Sequence, residues 1–324
     1  MKTDFYLRNF GLAIIIAVFG VLPLSSCSSD SDSDETTTEP DITSPEPPAE
    51  SKVKTLVSNL QANDALSIDD NGQLFVSNFE NFMGTRVVKL NPESLATETV
   101  VEGLKAPTGN ITDSSGNIYV VHNVRPVEPD SNKPIGDVVK IDTDGNKTTL
   151  ATLPGFPSGI TLDDDGNVYV SNYAFSGVHQ ITQDGEVNIY SQDSRLEGGV
   201  GITFDDNGNL YVGNFITGDI IKIGSDKSKE LLATIPTVKQ REVIGYMTYL
   251  DGFLYATGIG EHVIYKVSLT GDSSILAGSG TEGTVDGGYL QASFDRPNGI
   301  VGDPNKNVIY VTEAGGAFRL IELD

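Results

Sequence analysis

The sequence predicts an all-β chain folded as a six-bladed β-propeller of four-stranded blades, and three observations carry that prediction. An aromatic residue recurs at Phe75, Tyr119, Tyr169, Tyr211, Tyr255 and Tyr310, with successive spacings of 44, 50, 42, 44 and 55 residues. Those spacings lie at or above the roughly 40 to 45 residues of one blade. Around the marks runs a repeated pattern, clearest in Gly159-Ile160-Thr161-Leu162-Asp163, two polar residues, then Gly166-Asn167-Val168-Tyr169-Val170-Ser171-Asn172. Finally, the last unit stops one strand short, while an unassigned strand-like run, Val53-Lys54-Thr55-Leu56-Val57, precedes the first unit.

Turn chemistry divides each unit into four strands. In the third unit these are residues 159–163, innermost, then 168–172, 177–181 and 186–190. The turns Asp163-Asp164-Asp165-Gly166 and Gln183-Asp184-Gly185 supply the glycine that such reversals favour. They join strands one to two and three to four, so they share one face of the disc. In the sixth unit the third strand is residues 317–321, after which the chain ends. Residues 53–57 resemble the fourth strands at Thr99-Val100-Val101 and Glu230-Leu231-Leu232, so they are expected to pair in blade six and remove its open edge.

Composition narrows the function classes. With 21 Lys+Arg against 45 Asp+Glu the net charge is -24, which excludes the basic surface that nucleic-acid binding needs. Hydrophobic residues at 38% can fill a sizeable core, and a single cysteine excludes internal disulfides and Cys-rich metal sites. Lys2 and Arg8 precede an apolar stretch over residues 10–24, the length of a signal-peptide core and short of the ~20 residues of a bilayer span. It ends at Leu24-Ser25-Ser26-Cys27, which resembles the lipobox of bacterial lipoproteins. The resemblance implies a signal peptide over 1–26, acylation of Cys27 and anchoring in the outer membrane, facing the periplasm or the cell surface. Residues 27–51 follow as a tether rich in Ser, Asp, Thr and Pro; from Cys27 to Glu50 there are eight acidic residues and no basic ones, so this segment should stay extended. Its Ser/Asp run is also similar to the export tag of surface lipoproteins, and serves equally as simple solvation.

Leu276-Ala277-Gly278-Ser279-Gly280, Asp286-Gly287 and Arg296-Pro297-Asn298-Gly299-Ile300 resemble the NHL repeat, and residues 52–324 as a whole are similar to six-bladed NHL and SMP-30/gluconolactonase-like propellers. The latter resemblance implies a divalent cation, commonly calcium, held at the channel mouth by Glu, Asn and Asp residues. Asn298 matches one such position and Asp64 supplies a second oxygen, but Thr108, Ser158, Val200 and Ile244 depart from the pattern. Zinc held by histidines, as in the NHL-type lyase of amidated peptides, would draw on His122, His179 and His262; only His122 is expected near the mouth. No match to the His/Glu arrangement of streptogramin lyases is found. The acidic turns at Asp142 to Asn146 and Asp163 to Asn167 do not have EF-hand spacing; in the first, Lys140 would fall at the first ligand position.

The stretches 124–136, 192–200, 237–244 and 278–298 read as long loops on the face opposite the tight turns, the default binding surface of a rigid scaffold. Two rings of positions should surround the mouth there. One, before the innermost strands, is Asp64, Thr108, Ser158, Val200, Ile244 and Asn298; the other, ending the second strands, is Asn78, Asn123, Asn172, Asn214, Gly258 and Glu313. The four asparagines either bind a polar ligand or cap strand ends. Phe79, Tyr173 and Phe215, each following such an asparagine, read as packing between blades or as a stacking platform. Arg125, Arg195, Arg241 and Arg296 either meet an anionic ligand or staple loops through Glu128, Glu197, Glu242 and Asp295. The expectation is a monomeric, lipid-anchored envelope module, without a cofactor, that binds a small molecule, glycan or protein. The alternative is a metal-dependent lactonase with a degenerate site.

Overall fold

The computed structural model describes residues 51–126, 133–237 and 241–324. Cys27, the signal segment, most of the tether and Glu128 lie outside the described residues. Within them stand six antiparallel sheets of four strands each. The first strands of successive sheets touch one another in a closed circle, from Leu66–Ile68 in blade one round to Pro297–Asp303 in blade six and back. The third blade runs Pro157–Leu162, Val168–Asn172, Gly177–Ile181 and Val187–Gln192, close to the divisions read from turn chemistry.

A local clamp explains why the repeat has the form Asp-x-x-Gly-Asn-x-Tyr. In blade three the Asp163 carboxylate accepts the Asn167 backbone N–H at 2.8 Å, the Asn167 side-chain amide at 2.9 Å and the Tyr169 hydroxyl at 2.9 Å. The same bonds recur with Asp113, Asn117 and Tyr119 and with Asp205, Asn209 and Tyr211. One carboxylate thus shapes the turn between inner and second strands and holds the aromatic ring over the neighbouring sheet. Tyr169, for example, packs among Leu210, Val212 and Ile221 of blade four.

Around the axis the inner strands approach so closely that the leading glycine of the repeat has a steric cause. A Cβ on Gly159 would stand 2.0 Å from the Val200 carbonyl oxygen of blade four, and one on Gly299 would stand 2.1 Å from that of Asp64 in blade one. Hydroxyls from second strands then bond to the neighbouring inner strand. Ser171 Oγ donates to Val200 O at 2.8 Å, Thr257 Oγ1 to Asn298 O at 2.8 Å and Thr312 Oγ1 to Asp64 O at 2.9 Å. The Asn110 amide does the same for blades one and two, donating to Ala65 O and Ser77 Oγ, each at 2.9 Å.

The first strand, Val53–Val57, pairs antiparallel with Phe318–Glu322, with Val53 opposite Ile321, and completes blade six. A buried ionic knot locks this seam. Arg319, fully buried, bonds the buried Glu313 carboxylate and donates to Ser293 O at 2.8 Å, Val285 O at 3.1 Å and Asp286 Oδ1 at 3.1 Å, while Thr55 Oγ1 donates to Asp286 at 2.6 Å. Its guanidinium also lies 4.9 Å from the Phe294 ring centroid. The excursion of residues 278–296 is thereby fastened to the closing strands.

Of the stretch 124–136, read as a loop, the residues 124–126 and 134–136 are strand instead. They belong to the paired strands Ile118–Pro126 and Pro134–Ile141, where the Arg125 fork meets Asp137 at 2.7 and 3.2 Å and helps to hold the ladder together.

Deleting residues 51–57 should abolish the cooperative thermal transition, because blade six would lose a strand and expose an edge. Arg319→Ala should cost about 3 to 5 kcal/mol, since it strands the buried Glu313 carboxylate; chemical denaturation of the variant against the parent measures this.

Candidate functional site

The axial channel itself is narrow. A cavity of about 80 Å³ lies among the inner strands, lined by Asn110, Ile160, Ile202, Tyr246 and Ile300 among others. A space of that size has room for several ordered waters. Chemistry on a larger molecule is therefore confined to the mouth.

At the mouth end, the inner strands of blades three, four and six each carry a register shift, between Pro157 and Ile160, Gly199 and Gly201, and Pro297 and Ile300. Ser158, Val200 and Asn298 sit in these bulges, a device that re-aims side chains at strand ends. Asn298 donates its amide to Asp64 Oδ1 at 2.5 Å, and the Tyr246 hydroxyl donates to Asp64 Oδ2 at 3.2 Å. Blades five, six and one thus meet at one buried carboxyl. Burial raises the Asp64 pKa from 3.8 to about 7, although the bonds from Asn298 and Tyr246 favour the charged form. Desolvation prevails because the group is wholly enclosed. Tyr246 was not among the residues singled out from sequence. Its signal was a departure within the repeat, since Tyr246 stands where other units place Ile160, Ile202 and Ile300.

The structure places the second ring as follows. The Asn78 amide donates to Gln61 O at 3.0 Å and that of Asn172 to Pro154 O at 2.7 Å. The Asn214 amide donates to Glu197 O at 2.7 Å, while its carbonyl accepts the N–H groups of Ile216 and Thr217. These three asparagines cap loops. Asn123 donates to Asp137 at 2.6 Å and belongs to the Arg125 staple. Glu313 is the partner of Arg319, with Thr284 Oγ1 on its other oxygen at 2.7 Å.

His122 is half-buried and its burial lowers its pKa; its Nδ1 accepts the Lys105 backbone N–H at 3.4 Å. His179 is buried beneath Phe175, 4.7 Å between centroids, and His262 Nδ1 faces the Arg296 N–H at 3.3 Å. The three are engaged in separate local contacts. Arg195 forks onto Asp193 at 2.8 and 3.0 Å and so pulls the Asp193 pKa down to about 2, and Arg296 meets Glu242 at 3.0 Å. Arg296 thus uses Glu242 where the sequence offered the adjacent Asp295, and Arg125 and Arg195 use Asp137 and Asp193. Arg241 is exposed.

A hard cation needs about six oxygen ligands. Of the two ring carboxyls, Asp64 is already engaged by an amide N–H and a phenol and Glu313 by Arg319, while Val200 and Ile244 bring no donor. No group of three or more His, Cys, Asp or Glu side chains able to hold a metal occurs among the described residues. The donor set does not fit calcium or zinc.

On the blade one to four side of the same face, half-buried aromatic rings form an arc. Phe79 contacts Phe82 at 4.6 Å, Phe82 contacts Phe156 at 6.1 Å, Phe156 contacts Tyr173 at 6.1 Å and Tyr173 contacts Phe215 at 5.9 Å, all edge to face. Phe82 is carried there by three successive residues with left-handed backbone, Glu80, Asn81 and Phe82, at φ of 46°, 51° and 70°. Such backbone costs roughly 1 to 2 kcal/mol per non-glycine residue. The arc adjoins the Asp64 group, because Asn63 accepts the Glu80 N–H at 3.4 Å and the Asn298 amide reaches Asn63 O at 3.5 Å.

No family model matches the chain and no curated protein matches it by sequence. Among solved structures, the chain is similar to an auxiliary nutrient binding protein from Bacteroides thetaiotaomicron, at 14% identity and a TM-score of 0.67, over 83% of this chain and 75% of that one. A gluconolactonase from Xanthomonas campestris aligns at 13% identity and a TM-score of 0.62, over 85% and 90% of the two chains. Virginiamycin B lyase from Staphylococcus aureus aligns at 15% identity and a TM-score of 0.59, over 85% and 99%.

The Asp64 pKa makes a signed prediction. The folded state holds this proton more tightly than the unfolded chain, so its stabilisation is complete below about pH 4 and is lost as pH rises to about 7, with a slope of at most about 1.4 kcal/mol per pH unit. Asp64→Asn should remove that decline and raise stability at pH 8, as read by urea denaturation across the range. The chain is a six-bladed β-propeller with the architecture of gluconolactonase-like and NHL-type propellers.

Proposed function

We propose that the chain is a lipid-anchored envelope propeller, acylated at Cys27 and held by the tether of residues 27–51, that binds ligand on its loop-rich face. The observation that carries this reading is that Lys52, paired with Asp324 at 2.7 Å, and Val53, which begins the closing strand, stand on the tight-turn face, opposite the loop-rich face. The narrow channel and the enclosed Asp64 group suit a scaffold that holds a binding face better than a channel that passes substrate. Nutrient-binding proteins of the same fold support a binding role, on architecture alone.

A lactonase reading has one observation in its favour, a mouth carboxyl that titrates near neutrality beside a phenol, in a fold shared with a gluconolactonase. The donor set at the mouth counts against it. Under the binding reading the ligand is a small molecule, glycan or protein, the protein acts as a monomer at the outer membrane, and nucleic acid is no partner.

Two measurements separate the readings. Cys27→Ser should move the protein from the detergent phase to the aqueous phase, and protease shaving of intact cells reports whether the propeller faces outward. Calcium, zinc or chelator should leave the melting temperature unchanged; a rise of several degrees with metal, together with lactone turnover lost in Asn298→Ala, would establish the hydrolase instead.

A further inference from the structure

We infer that the aromatic arc from Phe79 to Phe215 is a binding platform for a neutral oligosaccharide. The inference deepens the proposed binding role and rests on the loop-rich face being the binding face. None of the five rings is buried in the core, yet they are lined up ring to ring across blades one to four at 4.6 to 6.1 Å. Core packing does not require that line, because the interblade clusters are built from other residues. Phe82 reaches Phe156 only through three consecutive left-handed residues, backbone strain of the kind that persists at ligand clamps. Met83, beside it, is 76% exposed.

The chemistry around the arc selects the occupant. Three of the four mouth-face arginines are held by the protein's own carboxylates, Arg125 by Asp137, Arg195 by Asp193 and Arg296 by Glu242. A charged polymer would have to break those pairs and approach a chain of net charge -24 if it were anionic. A neutral ligand meets neither obstacle. Rings present apolar faces and edges, while exposed Glu80 and Asn81 on the same turn bring an acceptor carboxylate and an amide that both donates and accepts. Pyranose rings match this arrangement, with C–H faces to lie against aromatic rings and a rim of hydroxyls for the polar groups. A wholly apolar partner would leave those polar groups unmatched.

The test uses the full chain in detergent and calorimetric titration with maltohexaose, cellohexaose, xylohexaose, mannohexaose and laminarihexaose, with anionic oligogalacturonate as comparator. At least one neutral hexasaccharide should bind, and Phe82→Leu and Tyr173→Leu, which keep apolar volume without a ring, should each weaken it about tenfold. Asp226→Asn, on the tight-turn face, should leave it unchanged. Circular dichroism melts check each variant's fold, and Tyr173→Leu stands alone if Phe82→Leu does not fold. The inference is overturned if no neutral hexasaccharide binds or if both leucine variants bind as the parent does. Oligogalacturonate binding that is lost in Arg241→Ala would also overturn it while keeping the loop-rich face as the binding surface. Binding weakened by Asp226→Asn and by no mouth-face change would overturn the face as well.

Discussion

The close approach of inner strands around the axis governs the rest of the molecule. With a neighbour's carbonyl oxygen where a Cβ would stand, Gly159 and Gly299 tolerate no side chain, and the leading position of each inner strand is glycine except for Ala65 in blade one. Ser171, Thr257, Thr312 and Asn110 then tie blade three to four, five to six, six to one and two to one through side-chain hydrogen bonds. Leaving such a buried acceptor unpaired would cost more than the bond contributes. The same tightness shrinks the channel to a cavity of about 80 Å³ and displaces any larger ligand to the face where the connections are long.

Two buried polar groups sit on either side of this constraint. Arg319 has its ionic partner Glu313 and three further acceptors, so its charge is compensated inside the sheet. Asp64 has hydrogen bonds from Asn298, Tyr246 and the Ala65 backbone but no cation beside it, so burial prevails and the proton is retained toward neutrality. Arg319 therefore fastens blade six through a paired charge, whereas the junction of blades five, six and one at the mouth softens as its carboxyl ionises. The aromatic arc lies beside that junction, on a turn that is itself strained.

Much of the fold was legible because its determinants are local. The Asp-x-x-Gly-Asn-x-Tyr clamp lies within seven residues, and the missing fourth strand followed from counting. Pairing partners were less legible. Arg125 and Arg195 have carboxylates nearby in sequence at Glu128 and Glu197, but hairpin register brings Asp137 opposite Arg125, and the turn at Ser194–Leu196 brings Asp193 onto Arg195. Glu313 read as a mouth residue because it ends a second strand; its partner Arg319 lies on the next strand, where only the pairing shows it. The left-handed run at Glu80 to Phe82 contains no glycine, so nothing in its composition announced the turn that sets Phe82 against Phe156. The aromatic residues were visible, and their alignment was not.

The seam between Val53–Val57 and Phe318–Glu322 also fixes when the molecule can finish folding. Lys54 and Glu322 are 268 positions apart in the chain, so the pairing joins the first described strand to the last. Contacts of such separation form slowly, because the loop must close before they stabilise anything. A nascent chain emerging from the ribosome or an export channel can assemble five sheets but must hold Val53–Val57 in reserve until Phe318–Glu322 arrives. Asp64 and Asn298 come from the two ends of the same circle, so the mouth would be incomplete until that moment.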